Sequence, residues 1–323
     1  MKTQLTSTDP NVLAELGLDY SVIGEPIYLK GGTDSDVNYP IPERIAYVRH
    51  NDGQTTIDPL RVVLGIASPI YTPFQNKDLL SLVNAIGGET GLPFLGGGVF
   101  DQGRKVYLQL KSQDLDITYP NGKQDRIIGM ITAVNSHDCS TPLSFGFSHK
   151  TVSCENMFHG GLLSSKFQGK MRHTSNLEIN VKIAMAQVKR LREQEEKTYD
   201  VIQALSKPEA IITQGDVDMV FKRMMRLPEN SVLWSSTSNT VYLNSHTDIA
   251  DTISTRKENQ TLELVSIVNS EIEKKGATPW GLFSGVTRYT THQKYDTSER
   301  SEYAKLFGGV GTQERSIFQS LSA

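Results

Sequence analysis

The sequence predicts an α+β protein in which a long helix covers a largely antiparallel central sheet, with further helices in the C-terminal third. Three observations support this class. Short runs with period-two alternation, separated by turn residues, fill residues 45–156. One helical pattern of apolar residues then continues as far as Leu205, and shorter helical patterns follow Pro208. An antiparallel sheet has to bury one face, and the long helix supplies the cover.

The N-terminal region differs from the rest of the chain. Met1–Pro40 has no sustained hydrophobic period, and prolines together with Gly31-Gly32 interrupt it. We therefore predict an irregular arm with a few short elements over residues 1–44, either mobile or docked on a neighbouring molecule. A core of sheet and long helix is predicted over residues 45–207, and a helical part that returns to this core over residues 208–323.

Strand signals run through the middle of the chain. Lys105, Tyr107 and Gln109 alternate with apolar residues, which is typical of a half-buried strand, and Pro120-Asn121-Gly122 is a turn signal. One helix, Gln75–Ile86, is predicted to end at Gly87-Gly88. A sheet of six to eight strands is predicted from the runs Ile45–Arg49, Arg61–Ala67, Leu92–Val99, Arg104–Lys111, Asp114–Tyr119, Ile127–Asn135, Thr141–His149 and Thr151–Asn156.

The long helix is the clearest single element. Thr174 or Ser175 is placed to cap it, Glu178 lies in its first turn, and Pro208 ends it. About 30 residues of helix span roughly 45 Å at 1.5 Å per residue, long enough for a spine or an oligomer contact. Its apolar residues recur at three- and four-residue spacing: Val181, Ala184, Met185, Val188, Leu191, Tyr199, Ile202 and Leu205.

In the C-terminal third, helical and turn-rich segments alternate. The predicted helices are Asp216–Leu227, Asn259–Lys275 and Arg315–Leu321. Ser231–Ser245 is predicted to be a loop or a short hairpin. Trp280–Tyr289 is rich in aromatic and β-branched residues and too apolar for a tail, so we predict that it returns to the core.

Charge is distributed unevenly along the chain. Ser144–Arg192 carries a local charge of +6, whereas the whole chain sums to −3 and the remainder therefore to −9. This asymmetry indicates a polyanion-binding surface, and the alternative is a solvated helix face with a polar loop. Because a helix N-terminus favours anions, the site is expected around the first half of the long helix. The candidate nucleic-acid-binding residues are Arg104, Lys105 and Tyr107 on a predicted exposed hairpin, with Lys150, Lys166, Lys170, Arg172, His173, Lys182, Lys189 and Arg190.

Composition excludes several classes of protein. With 37% hydrophobic and 21% charged residues, the chain is ordinary for a globular protein. No run approaches the ~18–20 apolar residues of a membrane span, and Met1–Tyr20 lacks the pattern of a signal peptide. We therefore expect a cytoplasmic protein without membrane contact, whose two cysteines, Cys139 and Cys154, are free thiols.

No catalytic motif stands out. His137, Cys139, Cys154 and His159 form the one Cys/His arrangement considered for zinc, and their spacing matches no ordinary zinc pattern. Gly96-Gly97-Gly98 is not followed by the Lys-Ser/Thr pair of a phosphate-binding loop. The sequence therefore predicts no metal, no other cofactor and no enzymatic activity.

Several short segments occur in an order typical of one family. They are Tyr71–Asn76, Gly103–Tyr107, Asn135–Asp138, Cys154–Asn156, Arg172–Asn176 and Trp280–Tyr289. In this order the chain resembles the phage/plasmid-like protein family catalogued as domain of unknown function 932, although the family's Trp-His-Gly-Leu-Gly-like N-terminal signature is missing. The resemblance carries no settled activity but implies a role in the DNA metabolism of a mobile element. The order of sheet and long helix is also similar to that of phage single-strand annealing proteins.

Three functional hypotheses follow. The leading one is an oligomeric protein that binds and anneals single-stranded DNA in recombination, acting in the cytoplasm of a host cell. The second is a non-enzymatic structural or partner-binding phage protein without salt-sensitive DNA binding. The third is a metal-dependent enzyme with stoichiometric zinc at His137, Cys139, Cys154 and His159.

Overall fold

The computed structural model describes residues 6, 8–30, 38–50, 62–153, 156–158, 177–244, 254–295 and 297–323, without the side chains of residues 177–181 and 298. Its helices and sheets confirm the predicted α+β class. The chain groups into two compact units. Unit 1 contains Met1–Ser112, Met130–Gly146 and Ser165–Leu191, and unit 2 contains Gln113–Gly129, Phe147–Ser164 and Arg192–Ala323.

The helices of the described ranges agree with most of the sequence patterns. They are α1 (Val12–Glu15), α2 (Asn76–Thr90), α3 (Leu177–Leu205), α4 (Gln214–Met225), α5 (Thr255–Lys275), α6 (Pro279–Arg288), α7 (Ser298–Leu306) and α8 (Gly309–Leu321). The side chain of Thr213 caps α4 in a reciprocal arrangement with Asp216, and Thr278 caps α6. None of these described helices combines the length and apolar character needed to cross a membrane.

The strands of the described ranges belong to three sheets. The first contains β1 (Ser21–Lys30), β2 (Asn38–His50) and β3 (Val63–Ala67) in that order. The second contains β4 (Phe94–Phe100), β5 (Lys105–Thr118), β6 (Gln124–Ser136), β7 (Ser144–Thr151) and β8 (Met157–Phe158), again in chain order, and the third pairs β9 (Val232–Ser235) with β10 (Thr240–Leu243). The prediction of one sheet with six to eight strands is wrong, because the strands of the N-terminal region pair among themselves.

The N-terminal region is not the irregular arm that the sequence predicts. β1 pairs with β2 in an antiparallel ladder that runs from Ser21 opposite His50 to Lys30 opposite Asn38. The sheet order makes β1 an edge strand, which is where a proline such as Pro26 is tolerated. Four apolar side chains before and within β1 are buried in unit 1: Val12, Leu18, Tyr20 and Val22.

Helix α2 continues past its predicted end. Gly87 and Gly88 lie inside the helix, which stops at Gly91 in the left-handed conformation with φ 72°. A Cβ at Gly88 would meet no atom within 4 Å, so that glycine is not required by a close contact. The glycine that ends the helix is the one whose φ is positive, which is the usual geometry of a helix C-terminus.

The two predicted hairpins in the middle of the chain are confirmed. β4 and β5 are antiparallel, with Phe100 opposite Lys105. A short 3₁₀ turn, Asp101–Gly103, connects them. β5 and β6 are neighbouring strands connected through the predicted turn, where Gly122 has φ 78°.

In unit 2 the second half of α3 packs on strand residues of the same unit. Tyr199, Ile202 and Leu205 share a hydrophobic core with Leu115 and Ile127. This confirms within unit 2 that the long helix covers part of the sheet.

Segment Trp280–Tyr289 returns to the core as predicted, and it does so as a helix. Residues 279–287 of α6 are all buried, and α6 packs on α5. Gly285 permits a close approach of the two helices, because a Cβ there would lie 2.7 Å from the Cα of Val268.

Candidate functional site

The first half of α3 presents a basic face in unit 1. Lys182, Lys189 and Arg190 are exposed, and no Asp or Glu occurs between residues 182 and 192. Positions 182, 189 and 190 share one side of the helix because they are seven and eight residues apart. None of the three forms an ion pair with a described residue. We call Lys182, Lys189 and Arg190 the α3 basic face. The residues buried on the other side are Ala184, Val188 and Leu191.

The charge of the exposed side changes in the second half of α3. Glu193, Glu196 and Asp200 are exposed there, and Lys197 is the one cation among them. A polyanion is therefore favoured only along the first half of the helix.

The predicted hairpin residues Arg104 and Lys105 serve the fold of unit 1. Arg104 pairs with Asp101 at 3.3 Å and donates a hydrogen bond to the carbonyl oxygen of Val63 at 3.3 Å. Lys105 is 8% exposed, and its Nζ lies 3.8 Å from a carboxylate oxygen of Asp138. The prediction that Lys105 is exposed is wrong, because its ammonium group turns inward toward that carboxylate.

Tyr107 is half-buried and packs against its own hairpin. Its ring stacks on Phe100 with 5.2 Å between the ring centroids. A Cβ added at Gly98 would lie 2.9 Å from the ring, so the tyrosine occupies the space that this glycine leaves open. The side of the Tyr107 ring that faces Phe100 is therefore already occupied within the hairpin and is not open to a stacking base.

The remaining predicted residues are distributed as follows. Lys150 is partly exposed on β7. Lys166, Lys170, Arg172 and His173 lie outside the described residues.

The proposed zinc ligands are only partly described. His137 is buried, and its Nε2 lies 3.0 Å from Oδ1 of Asn76. Cys139 is an exposed free thiol whose pKa is raised, chiefly by burial of part of the group. Cys154 and His159 lie outside the described residues. Within the described ranges, no three His, Cys, Asp or Glu side chains are grouped as a metal site.

Segments that carry the family resemblance converge in unit 1. Asn135 donates to the carbonyl oxygen of Phe74 at 2.9 Å, and Tyr71 donates to that of Ser136 at 3.3 Å. The amide of His137 donates to the carbonyl oxygen of Arg104 at 2.7 Å. These hydrogen bonds join the end of β6 and the turn after it to the segment before α2 and to the β4–β5 hairpin. The segments that carry the resemblance therefore have a structural role in unit 1.

A buried polar cluster in unit 2 involves α3 and β7. The Nε2 atom of His149 lies 3.9 Å from Oε1 of Glu195, and both side chains are almost fully buried. The hydroxyl of Tyr199 donates to the carbonyl oxygen of Gln113 at 2.7 Å and to Glu195 at 3.4 Å. Gly129 makes room for the cluster, because a Cβ there would collide with Glu195 and Tyr199.

The imidazole of His149 is held neutral. Neither ring nitrogen has a hydrogen-bond partner among the described residues, and burial lowers the pKa of His149 to about 3. Burial, followed by the charge of the Glu195 carboxylate, raises the pKa of the Tyr199 hydroxyl. Sequence reasoning missed this cluster, although Glu195 lies within the apolar stripe between Leu191 and Tyr199 and so signals a buried carboxylate.

Acidification is expected to destabilise unit 2 through His149. Since the pKa is lower in the folded chain than the ordinary 6.5, the unfolded chain binds the proton more readily, and stability is lost as pH falls from 6.5 toward about 3. The loss amounts to about 1.4 kcal/mol per pH unit within that window. We expect His149→Phe to become steadily more stable relative to the wild type as pH falls, in urea unfolding at several pH values. Parallel pH profiles for the two proteins would contradict a buried neutral imidazole.

Comparison with protein-family models assigns most of the chain to a family. The family model described as Domain of unknown function (DUF932) matches residues 63–310. No curated protein and no solved structure matches the chain.

Proposed function

Because the chain belongs to the family described as Domain of unknown function (DUF932), a description that names no activity, we propose from its own residues that it is an oligomeric single-stranded DNA-binding protein. The observation that carries the proposal is the α3 basic face. Three exposed cations without ion-pair partners among the described residues lie on one side of a helix stretch that contains no acidic residue. Such a stripe is suited to a phosphate backbone.

The α3 basic face is better suited to binding single-stranded DNA than to recognising a specific sequence in duplex DNA. The face offers charge without the Asn, Gln or bidentate Arg constellation that reads base edges, so it recognises phosphates rather than sequence. Three cations on one copy give weak binding, since each neutralised phosphate of a single strand contributes only about −0.7 to the slope of log affinity against log salt. Association of several copies multiplies the site, and for this reason the proposal includes a homo-oligomer.

The biological setting completes the proposal. A protein that lines several copies along a single strand is equipped to pair that strand with a complementary one, which is the annealing step of recombination. We place this activity in the DNA metabolism of a phage or other mobile element, in the cytoplasm of the host cell. The α3 basic face provides the phosphate contacts, and no metal or other cofactor takes part.

The test is charge reversal of the α3 basic face. Lys182→Glu/Lys189→Glu/Arg190→Glu is expected to weaken binding of a labelled oligo(dT) strand and to reduce the salt slope by about 2 per copy engaged. The measurement is fluorescence anisotropy at several salt concentrations. The matched control is Lys123→Glu/Lys207→Glu/Arg256→Glu, which makes the same charge change at three exposed positions elsewhere.

The outcomes separate the functional hypotheses. Weakened binding in the first variant together with wild-type binding in the control supports the α3 basic face as the site. Equal losses in both variants point to a general effect of net charge and contradict the site. A wild-type protein that binds neither single- nor double-stranded DNA at low salt defeats the proposal and favours the structural or partner-binding role.

A further inference from the structure

Unit 2 contains a cavity of about 530 Å³ next to the β9–β10 hairpin. Its apolar wall is formed by Pro120, Pro208, Ile211, Trp234 and Ala277. None of the described residues that line it is charged. Cavities of this size with a mostly apolar wall are typical of sites that take a small ligand. We call this cavity the Trp234 pocket.

The tryptophan in the wall is held in place by the fold. Trp234 is half-buried and packs against the hydrophobic core of unit 2 while it also lines the pocket. Its backbone amide donates to Oε1 of Gln214 at 2.8 Å, and it lies opposite Val241 in the β9–β10 ladder. The indole is therefore positioned before a ligand arrives, and binding does not have to order it.

A second part of the wall is also fixed. Gly276 has φ 95°, and a Cβ there would lie 2.9 Å from the ring of Pro120. The next residue, Asn121, donates from its side-chain amide to the carbonyl oxygen of Lys274 at 2.7 Å. These contacts join the β5–β6 turn to the end of α5, so the pocket is formed without a ligand.

Polar side chains border the pocket at the turn between β9 and β10. Ser236 and Asn239 are exposed, line the pocket, and have no side-chain hydrogen bond with a described residue. An asparagine amide offers both donors and an acceptor, and a serine hydroxyl can act as either. The pocket thus combines apolar surface for the face of a ring with hydrogen-bonding groups for its edge.

The backbone of the hairpin is not available to a peptide strand. Gln214 donates to the carbonyl oxygen of Val232 at 2.9 Å, in addition to its bond with the amide of Trp234. On the other strand, the side chain of Asn269 bonds both the amide and the carbonyl oxygen of Val241, at 2.8 and 2.9 Å. Addition of a strand needs free backbone groups at an edge, and these are already bonded.

We propose that the Trp234 pocket receives a nucleobase. A base is a flat, uncharged ring system with donors and acceptors on its edge, and bases stack on aromatic side chains whatever the sequence. The uncharged wall suits the base rather than a phosphate. The inference rests on the proposed function in that a single strand is the expected source of the base, and a free nucleoside offers the same chemistry.

The first test is tryptophan fluorescence of the wild type. The chain has two tryptophans, and Trp280 is only 4% exposed, so Trp234 is the one that a ligand can reach. Oligo(dT) and free thymidine are expected to quench the fluorescence. An abasic strand of the same length, which carries the phosphates without the bases, is expected to leave it unchanged.

The second test compares affinities by anisotropy of labelled strands. Stacking of one base is expected to make the wild type bind oligo(dT) roughly 5- to 150-fold more tightly than the abasic strand. Trp234→Ala should bind the two strands equally. The matched control is Tyr242→Ala, which removes a 47% exposed aromatic side chain from the other face of the hairpin and should keep the wild-type preference. Circular dichroism reports whether each variant is folded.

Two results would overturn the inference: an oligo(dT) titration that leaves the tryptophan fluorescence unchanged, or a folded Trp234→Ala variant that still prefers oligo(dT) to the abasic strand. If Trp234→Ala is unfolded, the wild-type fluorescence with the two strands decides. Quenching by thymidine without binding of any strand supports the pocket and defeats the proposed function. Equal binding of oligo(dT) and the abasic strand without quenching does the reverse.

Discussion

Replacing Lys305 with methionine is expected to lower the free energy of unfolding by about 3–5 kcal/mol, because it leaves a buried carboxylate without its cation. Nζ of Lys305 lies 2.9 Å from Oε1 of Glu314, and both side chains are fully buried in unit 2. The same ammonium group donates to Oγ1 of Thr291 at 2.6 Å and to the carbonyl oxygen of Met157. Thr290 donates to the carboxylate. Removing either charge therefore breaks a network in which the partner cannot reach water.

Glu314→Gln, which removes the other charge of the pair, is expected to lower the free energy of unfolding by about as much at neutral pH. Its dependence on pH is expected to differ from that of Lys305→Met. Burial lowers the pKa of Lys305, and the Glu314 carboxylate opposes that effect. Without the carboxylate the pKa falls further, so the unfolded chain binds the proton more readily. Stability of Glu314→Gln should then rise as pH approaches the ordinary lysine value of 10.5, whereas Lys305→Met should show no such recovery.

A double-mutant cycle measures the coupling of the buried pair. Lys305→Met/Glu314→Gln should cost less than the sum of the single substitutions, with a coupling energy of about 0.5–3 kcal/mol from urea unfolding. Lys222→Met is the control, because the Lys222–Glu229 pair at 3.2 Å is more than half exposed and such pairs contribute about 0–1 kcal/mol. Additive effects, or a Lys305→Met loss no larger than that of Lys222→Met, would contradict the buried pair.

Hydrophobic periodicity in the sequence correctly predicted the helices and hairpins that have a clear local pattern. The period-two alternation around Lys105 correctly predicted the β4–β5 hairpin. The three- and four-residue spacing of apolar residues correctly predicted α3 and its end at Leu205. The N-terminal sheet was missed because Gly24 and Pro26 interrupt β1 in the sequence. An edge strand tolerates both, and edge position depends on pairing with β2, which no local pattern reports.

Within the candidate site, too, the sequence predicted the positions that depend on local periodicity and missed those that depend on tertiary contacts. Helical periodicity alone places Lys182, Lys189 and Arg190 opposite the buried stripe of α3, and the structure agrees. The burial of Lys105 could not be predicted, because it depends on Asp138 in a turn that only the fold brings near.

Replacing Val286 with aspartate is expected to unfold unit 2. Val286 is fully buried in α6, within a hydrophobic core that includes Val268 and Phe283. An unpaired carboxylate at such a position costs several kcal/mol, comparable with the roughly 5–15 kcal/mol that stabilise a typical domain. The helices cannot easily shift to expose the new carboxylate to water, because α6 and α5 are in close contact at Gly285. The measurement is the soluble yield together with thermal unfolding followed by circular dichroism.

The matched control for Val286→Asp is Leu262→Asp, which introduces the same carboxylate at a position of α5 that is 44% exposed. Its melting temperature should stay close to that of the wild type, because surface substitutions usually change stability by less than about 0.5 kcal/mol. Trp280→Ala should fall between the two, since truncating a buried tryptophan costs about 3–5 kcal/mol. A soluble Val286→Asp protein with a cooperative transition near the wild-type temperature would show that α6 does not belong to the core, and the order of the three variants would then carry no information about burial.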